Sequence, residues 1–100
     1  MLKKINRISR EVEIKEVLDK GKYLHTDIFM RKFIVKNEGK KFLIIVSKKV
    51  AKLAVERNRM KRLAYEVIYN NLEKLPEGIR MVLMIKKTYE KIGDEIVSGL

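Results

Sequence analysis

The segment KKVAKLAVERNRMKRLAYEV, from Lys48 to Val67, combines dense positive charge with the periodicity of an amphipathic helix. Between Lys48 and Arg62, seven Lys and Arg side chains stand against a single acid, Glu56. Apolar residues recur at the spacing of one helix face, namely at Met60, Leu63, Ala64, Val67 and Ile68. Like charges this close repel each other unless an anion lies against them. The segment therefore predicts a helix with one side in the core and the other against a polyanion.

The opposite face of this helix is expected to carry its polar contacts. At 100° per residue that face is centred on four residues, Asn58, Arg62, Tyr65 and Tyr69. We expect the helix to begin near Arg57 and to end near Leu75, which would place the cations among unpaired backbone amides. Free amides, helix dipole and guanidinium groups then converge on one phosphate. If phosphate balances these charges, removing Arg57 and Arg59 leaves the free fold unchanged or slightly more stable.

Composition limits the protein to a few classes. One hundred residues, 46% of them hydrophobic, suit a single domain over residues 1–100, and the net charge of +11 favours a polyanionic partner. The longest apolar runs, Phe42–Val46 and Met81–Ile85, are too short to cross a bilayer. No cysteine is available for a disulfide or a thiolate metal site, and the basic N-terminus lacks the features of a secretory signal. We expect a cytoplasmic protein.

The remaining patterns predict an α+β fold in the order αββαβα, with helices packed on a small mixed sheet as a single-domain sandwich. A helix from about Arg10 to Lys20 is capped by Ser9 and stopped by Gly21. The other expected elements are strands Ile28–Lys36 and Lys41–Val46, which form a hairpin through Asn37–Gly39, a third strand Ile79–Lys86 and a short helix Tyr89–Leu100. Phe29, Phe33 and Phe42 are expected in the core.

Two interpretations compete with nucleic-acid binding for the basic helix. Charged helix faces are often only solvated, and a basic amphipathic helix can also lie on a membrane surface. The scarcity of acids and the second cluster at Lys48, Lys49 and Lys52 disfavour a solvated face. A membrane-surface helix needs an apolar face of its own, whereas here the domain core requires it. RNA or DNA is therefore the favoured partner.

The segment VSKKVAKLAVERNRMKRLAYEV resembles the signature of the bacterial ribonuclease P protein component. In that family a strand ends in Ser-Lys-Lys, and a short connection leads to Arg-Asn-Arg, an apolar residue and Lys-Arg-Leu. The corresponding residues are Ser47-Lys48-Lys49, Arg57-Asn58-Arg59, Met60 and Lys61-Arg62-Leu63. The resemblance extends over most of the chain, from the basic N-terminus to the strand that ends in Lys86-Lys87. It implies an α/β sandwich with a left-handed β-α-β crossover.

The resemblance also implies a function. Members of this family join a catalytic RNA and assist removal of the 5′ leader from precursor tRNA, so the chain is an endoribonuclease subunit without a catalytic residue of its own. Mg²⁺ is held mainly by the RNA, and no cofactor is assigned to the protein alone. The implied RNA-binding residues, with Lys52 added from its charge, are Lys48, Lys49, Lys52, Arg57, Asn58, Arg59, Lys61 and Arg62. The implied leader-binding cleft comprises Ile14, Leu18, Lys32 and Tyr65.

This sequence departs from the family in its candidate stacking residues. The first helix of the family usually carries two Phe residues four apart, whereas here the positions hold Ile14 and Leu18. Tyr65 stands where many members have Arg, and it could stack on a base or cover neighbouring aliphatic stems. The single histidine, His25, is expected at the surface. Alternatives to a ribonuclease P subunit are a general RNA-binding or ribosome-associated module and a nuclease acting alone.

Overall fold

The structure is a computed structural model that describes residues 7–8, 10–88 and 93–97. Within these residues it contains two α-helices, α1 (Glu11–Lys20) and α2 (Ala54–Asn70). The strands are β1 (Lys22–His25), β2 (Phe29–Val35), β3 (Lys41–Val46) and β4 (Ile79–Ile85), and short 3₁₀ helices cover Leu72–Lys74 and Asp94–Val97. The predicted α+β class is confirmed. Ser9 and most of the predicted final helix, residues 89–92 and 98–100, lie outside the described residues.

The four strands form one mixed sheet in the order β1-β2-β4-β3. β2 pairs antiparallel with both β1 and β4, whereas β3 pairs parallel with β4. The predicted hairpin of β2 and β3 is therefore wrong, because β4 lies between them. β4 occupies this central position because its residues are apolar or fully hydrogen-bonded and nearly all are buried. The parallel strands β3 and β4, joined through α2, form the β-α-β unit for which the family resemblance implies a left-handed crossover.

The turn after β2 is hydrogen-bonded to the residues just before β4 and does not close a hairpin with β3. The Lys36 amide donates to the Gly78 carbonyl oxygen at 2.7 Å, and the Gly39 amide donates to Glu77 Oε1 at 2.8 Å. Gly78 has a φ of +86°, and a Cβ there would collide with the Lys36 carbonyl. Only glycine allows this close approach. The loop is thereby held at the end of the central strand.

The predicted order αββαβα omitted β1. This strand has four residues, of which only Leu24 is half-buried, so its sequence carries little hydrophobic alternation. It forms because its backbone pairs with β2 in an antiparallel register from Lys22 opposite Phe33 to His25 opposite Met30. The antiparallel hairpin of the fold is therefore β1–β2.

The two helices cover opposite sides of the sheet, called here the α1 side and the α2 side. On the α2 side, the predicted core face of the helix is confirmed, since Met60, Ala64 and Ile68 are fully buried. Phe29 and Phe42 are buried in the same core, and Phe33 is half-buried against it. On the α1 side, a smaller cluster is centred on three buried residues, Ile8, Val17 and Val82.

Arg80 fixes α1 to the sheet. Its buried guanidinium donates to Glu13 Oε2 of α1 at 3.1 Å and to carbonyl oxygens of Glu38, Gly39 and Gly78. Burial of this cation is tolerated because its donors are hydrogen-bonded and its charge is paired with Glu13. α1 is therefore anchored at its first turns, next to the loop that follows β2.

Candidate RNA interface

A continuous basic surface runs from the end of β3 into α2. The side chains of Lys48, Lys49 and Lys52 lie exposed in the connection, and Arg62 is exposed on the helix. Within the part of the chain that the structure describes, none of these four side chains makes a hydrogen bond or an ion pair. We call the basic face the set comprising Lys48, Lys49, Lys52, Asn58, Arg59, Lys61 and Arg62. The charges of Lys48, Lys49, Lys52 and Arg62 are therefore available to a polyanion.

Helix α2 begins one turn earlier than the sequence predicted. Leu53 precedes the first helical residue, and the Arg57 amide already donates to the Leu53 carbonyl oxygen at 3.1 Å. The unpaired amides therefore belong to the turn Ala54–Glu56 and not to the Arg-Asn-Arg motif. The expectation that free amides and motif cations share one phosphate is wrong, because Arg57 lies in the second turn.

Arg57 supports the structure of the connection. Its Nη1 donates to the carbonyl oxygens of Ala51 at 3.0 Å and Lys52 at 2.8 Å. These bonds hold the loop before α2 against the helix. Removal of Arg57 therefore leaves two carbonyl oxygens without this donor, and these bonds favour a loss of stability over the unchanged free fold expected from the sequence. Arg59 is half-buried, with Nη2 4.0 Å from Glu56 Oε1, a contact of little energetic weight at the surface.

A groove of about 860 Å³ lies beside the basic face. Its walls are the outer face of α2, the edge strand β3 and the N-terminal segment at Arg7 and Ile8. This segment pairs with β3, since the Ile8 amide donates to the Phe42 carbonyl oxygen at 3.0 Å. The α2 residues along the groove are Asn58, Lys61, Arg62, Tyr65, Glu66, Tyr69 and Asn70. The groove therefore contains three members of the basic face together with two tyrosines.

Tyr65 lies in the groove under Arg7. The guanidinium carbon of Arg7 is 5.3 Å from the centre of the Tyr65 ring. Burial raises the pKa of Tyr65, although Arg7 and the backbone hydrogen bond from Ile44 act in the opposite direction. The phenol is therefore neutral at physiological pH and can donate a hydrogen bond. Sequence analysis missed Arg7 at this site, because the basic N-terminus shows charge but not its pairing with β3.

The other cleft residues lie on the α1 side. Ile14 and Leu18 are half-buried and pack in the smaller cluster with Leu43 of β3. Lys32 Nζ donates to the Leu18 carbonyl oxygen at 2.7 Å, so this ammonium binds the last turn of α1. Leu43 also lines the groove beside Tyr65. The structure thus brings Ile14, Leu18 and Lys32 together, and Leu43 connects them to the groove.

Among the described residues, no group of three or more His, Cys, Asp or Glu side chains is arranged to hold a metal ion. None of the helices within the same ranges is long and apolar enough to cross a bilayer.

The fold and the basic face define a small basic α+β domain. The family model named Ribonuclease P matches residues 2–98, and the chain belongs to this ribonuclease P protein family. It is similar to the ribonuclease P protein component of Pseudanabaena sp. (strain PCC 6903), with 33% identity over 103 residues, 96% of this chain and 89% of that protein. The resemblance inferred from the signature segment is confirmed, and with it a role as a ribonuclease P subunit in tRNA processing.

Two solved structures share the fold. The ribonuclease P protein of Staphylococcus aureus aligns with a TM-score of 0.74 at 21% identity, covering 82% of this chain and 75% of that one. The protein of Thermotoga maritima aligns with a TM-score of 0.73 at 23% identity, covering 91% of this chain and 86% of that one. The predicted α+β architecture is thereby confirmed independently of the sequence motif.

Proposed function

We propose that the basic face binds the catalytic RNA of ribonuclease P and that the adjoining cleft holds the 5′ leader of precursor tRNA. The observation that carries this proposal is the exposure of Lys48, Lys49, Lys52 and Arg62 without hydrogen bonds or ion pairs in the described part of the chain. Such charge costs free energy through mutual repulsion in the free protein. RNA phosphates remove that cost and release counterions on binding.

Residues of the RNA-binding set differ in their roles. Asn58 and Arg62 point from α2 toward the groove, where an amide and a guanidinium can bind phosphate or base edges. Arg57 acts through the loop, because its guanidinium holds the carbonyl groups of Ala51 and Lys52 and so positions the side chain of Lys52. Lys48 and Lys49 extend the positive surface along the turn after β3.

The leader-binding cleft runs from the groove to the α1 side of the sheet. Tyr65 and Leu43 form its groove end, and Ile14 and Leu18 form the wall contributed by α1. Aliphatic side chains bury the edge of a base but do not stack on it as an aromatic ring does. The cleft therefore favours single-stranded RNA with modest dependence on base identity. Lys32 of β2, whose ammonium binds the last turn of α1, adds positive charge beside this wall.

The reaction proposed for the holoenzyme is endonucleolytic phosphodiester hydrolysis, with Mg²⁺ held mainly by the RNA. Within the part of the chain that the structure describes, no group of three or more His, Cys, Asp or Glu side chains is arranged to hold a metal ion. The chain contributes binding and orientation of both RNAs, and no step is assigned to a metal on it. The proposed compartment is the cytoplasm.

A cleavage assay on precursor tRNA at low Mg²⁺ tests this function. It compares the protein alone, the catalytic RNA from the same source alone, and the two together. We expect cleavage only from the combination, because the protein lowers the Mg²⁺ demand by neutralising phosphates. Cleavage by the protein alone would indicate a nuclease acting by itself. RNA binding without any effect on cleavage would favour a general RNA-binding module.

A further inference from the structure

An aromatic pair lies on edge strand β1, outside the cleft residues named above. The rings of Tyr23 and His25 are 13° from parallel, with centroids 5.8 Å apart. Tyr23 is 57% exposed and His25 is also exposed. Both side chains project to the α1 side of the sheet, because Tyr23 is paired with Lys32, which binds α1 on that side. The pair therefore faces the same way as the proposed leader-binding cleft.

The pair is directly connected to that cleft. Lys32 Nζ, which donates to the Leu18 carbonyl oxygen, also lies 5.8 Å from the centre of the Tyr23 ring. One ammonium thus contacts both the α1 wall and the aromatic pair. Beside His25, the cross-strand residues Met30 and Met84 are half-buried on the same side of the sheet. The α1 side therefore continues past the end of α1 as a partly open surface.

Cations hold and flank the pair. Lys86 Nζ contacts His25 Nε2 and donates to the Thr26 carbonyl oxygen at 3.0 Å. Because an ammonium can only donate, Nε2 accepts this hydrogen bond and the imidazole orientation is fixed. The charges of Lys86 and Lys32 are available to phosphates beside the rings. Ordered rings between two cations provide what a single-stranded nucleic acid requires, a stacking surface and a positive path for its backbone.

From this arrangement we propose that Tyr23 and His25 form a stacking site for one unpaired base of the precursor tRNA leader. The site replaces, on β1, the stacking capacity that Ile14 and Leu18 do not provide on α1. A flat base adds to the nearly parallel rings as a further layer, while Lys32 and Lys86 neutralise the neighbouring phosphates. This proposal rests on the proposed leader-binding function, which it extends to a second strand of the sheet.

Affinity of the reconstituted holoenzyme for precursor tRNA tests the stacking site. We expect Tyr23→Ala to weaken binding of a precursor with a long leader by about 5- to 140-fold, the range for loss of one stacked base. Binding of mature tRNA should be unchanged. Tyr23→Phe should retain affinity and Tyr23→Leu should lose it, since stacking requires the ring. Val35→Ala, at an equally exposed strand position on the α2 side, serves as the matched control.

Abasic substitutions at successive leader positions identify the stacked base. We expect one abasic position to weaken binding to the wild-type holoenzyme and to have no further effect on Tyr23→Ala or His25→Ala. Independent, additive losses would overturn the stacking site, as would full affinity of Tyr23→Leu. If the wild type binds precursor and mature tRNA equally, leader binding itself fails. Leader discrimination that survives in Tyr23→Ala removes only the stacking site.

Discussion

Arg57 Nη1 lies 2.8 Å from the carbonyl oxygen of Lys52 and 3.0 Å from that of Ala51. The first arginine of the signature motif is therefore part of the protein's own structure, whereas Arg62, on the next turns of α2, is exposed. We therefore propose separable roles for these two arginines, one in shaping the connection and one in contacting RNA. This difference allows the fold and the interface to be tested by matched substitutions.

Arg57→Ala should destabilise the free protein. The loss of two hydrogen bonds from a charged donor at a half-buried site is expected to cost about 1–2 kcal/mol. Chemical denaturation without RNA measures this change, and Arg62→Ala is the matched control with no expected loss. Equal stability of wild type and Arg57→Ala would contradict this role, because it would mean that water satisfies the two loop carbonyl oxygens as well as Arg57 does.

RNA binding should depend steeply on salt. If roughly five to seven phosphates are neutralised, log affinity falls with log salt at a slope of about −4 to −6. Filter binding or fluorescence titration with the catalytic RNA at several salt concentrations gives the slope. Arg62→Ala should reduce its magnitude by about 1, because one phosphate contact is removed. A wild-type slope near zero would mean that the basic face is not the contact surface.

Arg80→Met should destabilise the fold strongly. The substitution removes the hydrogen-bonded partner of Glu13, which keeps only its longer contact with Lys41 at 3.7 Å. It also removes the donor to the carbonyl oxygens of Glu38 and Gly39. Breaking a buried, hydrogen-bonded ion pair costs about 3–5 kcal/mol. Equilibrium unfolding in urea measures it, with Lys15→Met on the exposed face of α1 as the control. A loss no larger than that of the control would contradict the anchoring of α1 by Arg80.

Acid should weaken the docking of α1 through Glu16. The hydrogen bond from Lys36, at 2.6 Å, lowers the pKa of Glu16 below its ordinary value of 4.5. Because the unfolded state then binds this proton more readily, the stabilising effect is complete above pH 4.5 and is lost as pH falls through the lowered pKa. The stability difference between wild type and Glu16→Gln should therefore shrink in acid. A pH-independent Glu16→Gln difference would contradict the ion pair.

Several features of the fold could be predicted from sequence because they depend on local periodicity. The inward face of α2 at Met60, Ala64 and Ile68 followed from three- and four-residue spacing. The signature Arg57-Asn58-Arg59 predicted the family to which the chain belongs. Burial of Phe29 and Phe42 followed from their place in apolar strands.

Strand pairing could not be predicted in the same way. The turn at Asn37–Gly39 looks locally like a hairpin, but its amides and carbonyls bind Glu77 and Arg80 at the start of β4. β4 is separated from this turn by about forty residues, and no local signal encodes that contact. One contact of the candidate site could not be predicted for the same reason. Arg7 reaches Tyr65 only because the N-terminal segment pairs with β3.

The proposed division of roles on α2 is tested most directly by measuring thermal midpoint and catalytic-RNA affinity on the same three proteins, wild type, Arg62→Ala and Arg62→Lys. Arg62→Ala should weaken RNA binding by about 1.5–3 kcal/mol, the value of one charge-assisted contact, with no change in thermal midpoint. Arg62→Lys should recover only part of the loss, because it keeps the charge without the planar fork. Unchanged affinity in Arg62→Ala, or a lowered midpoint that accounts for the loss, would contradict the assignment of this face to RNA.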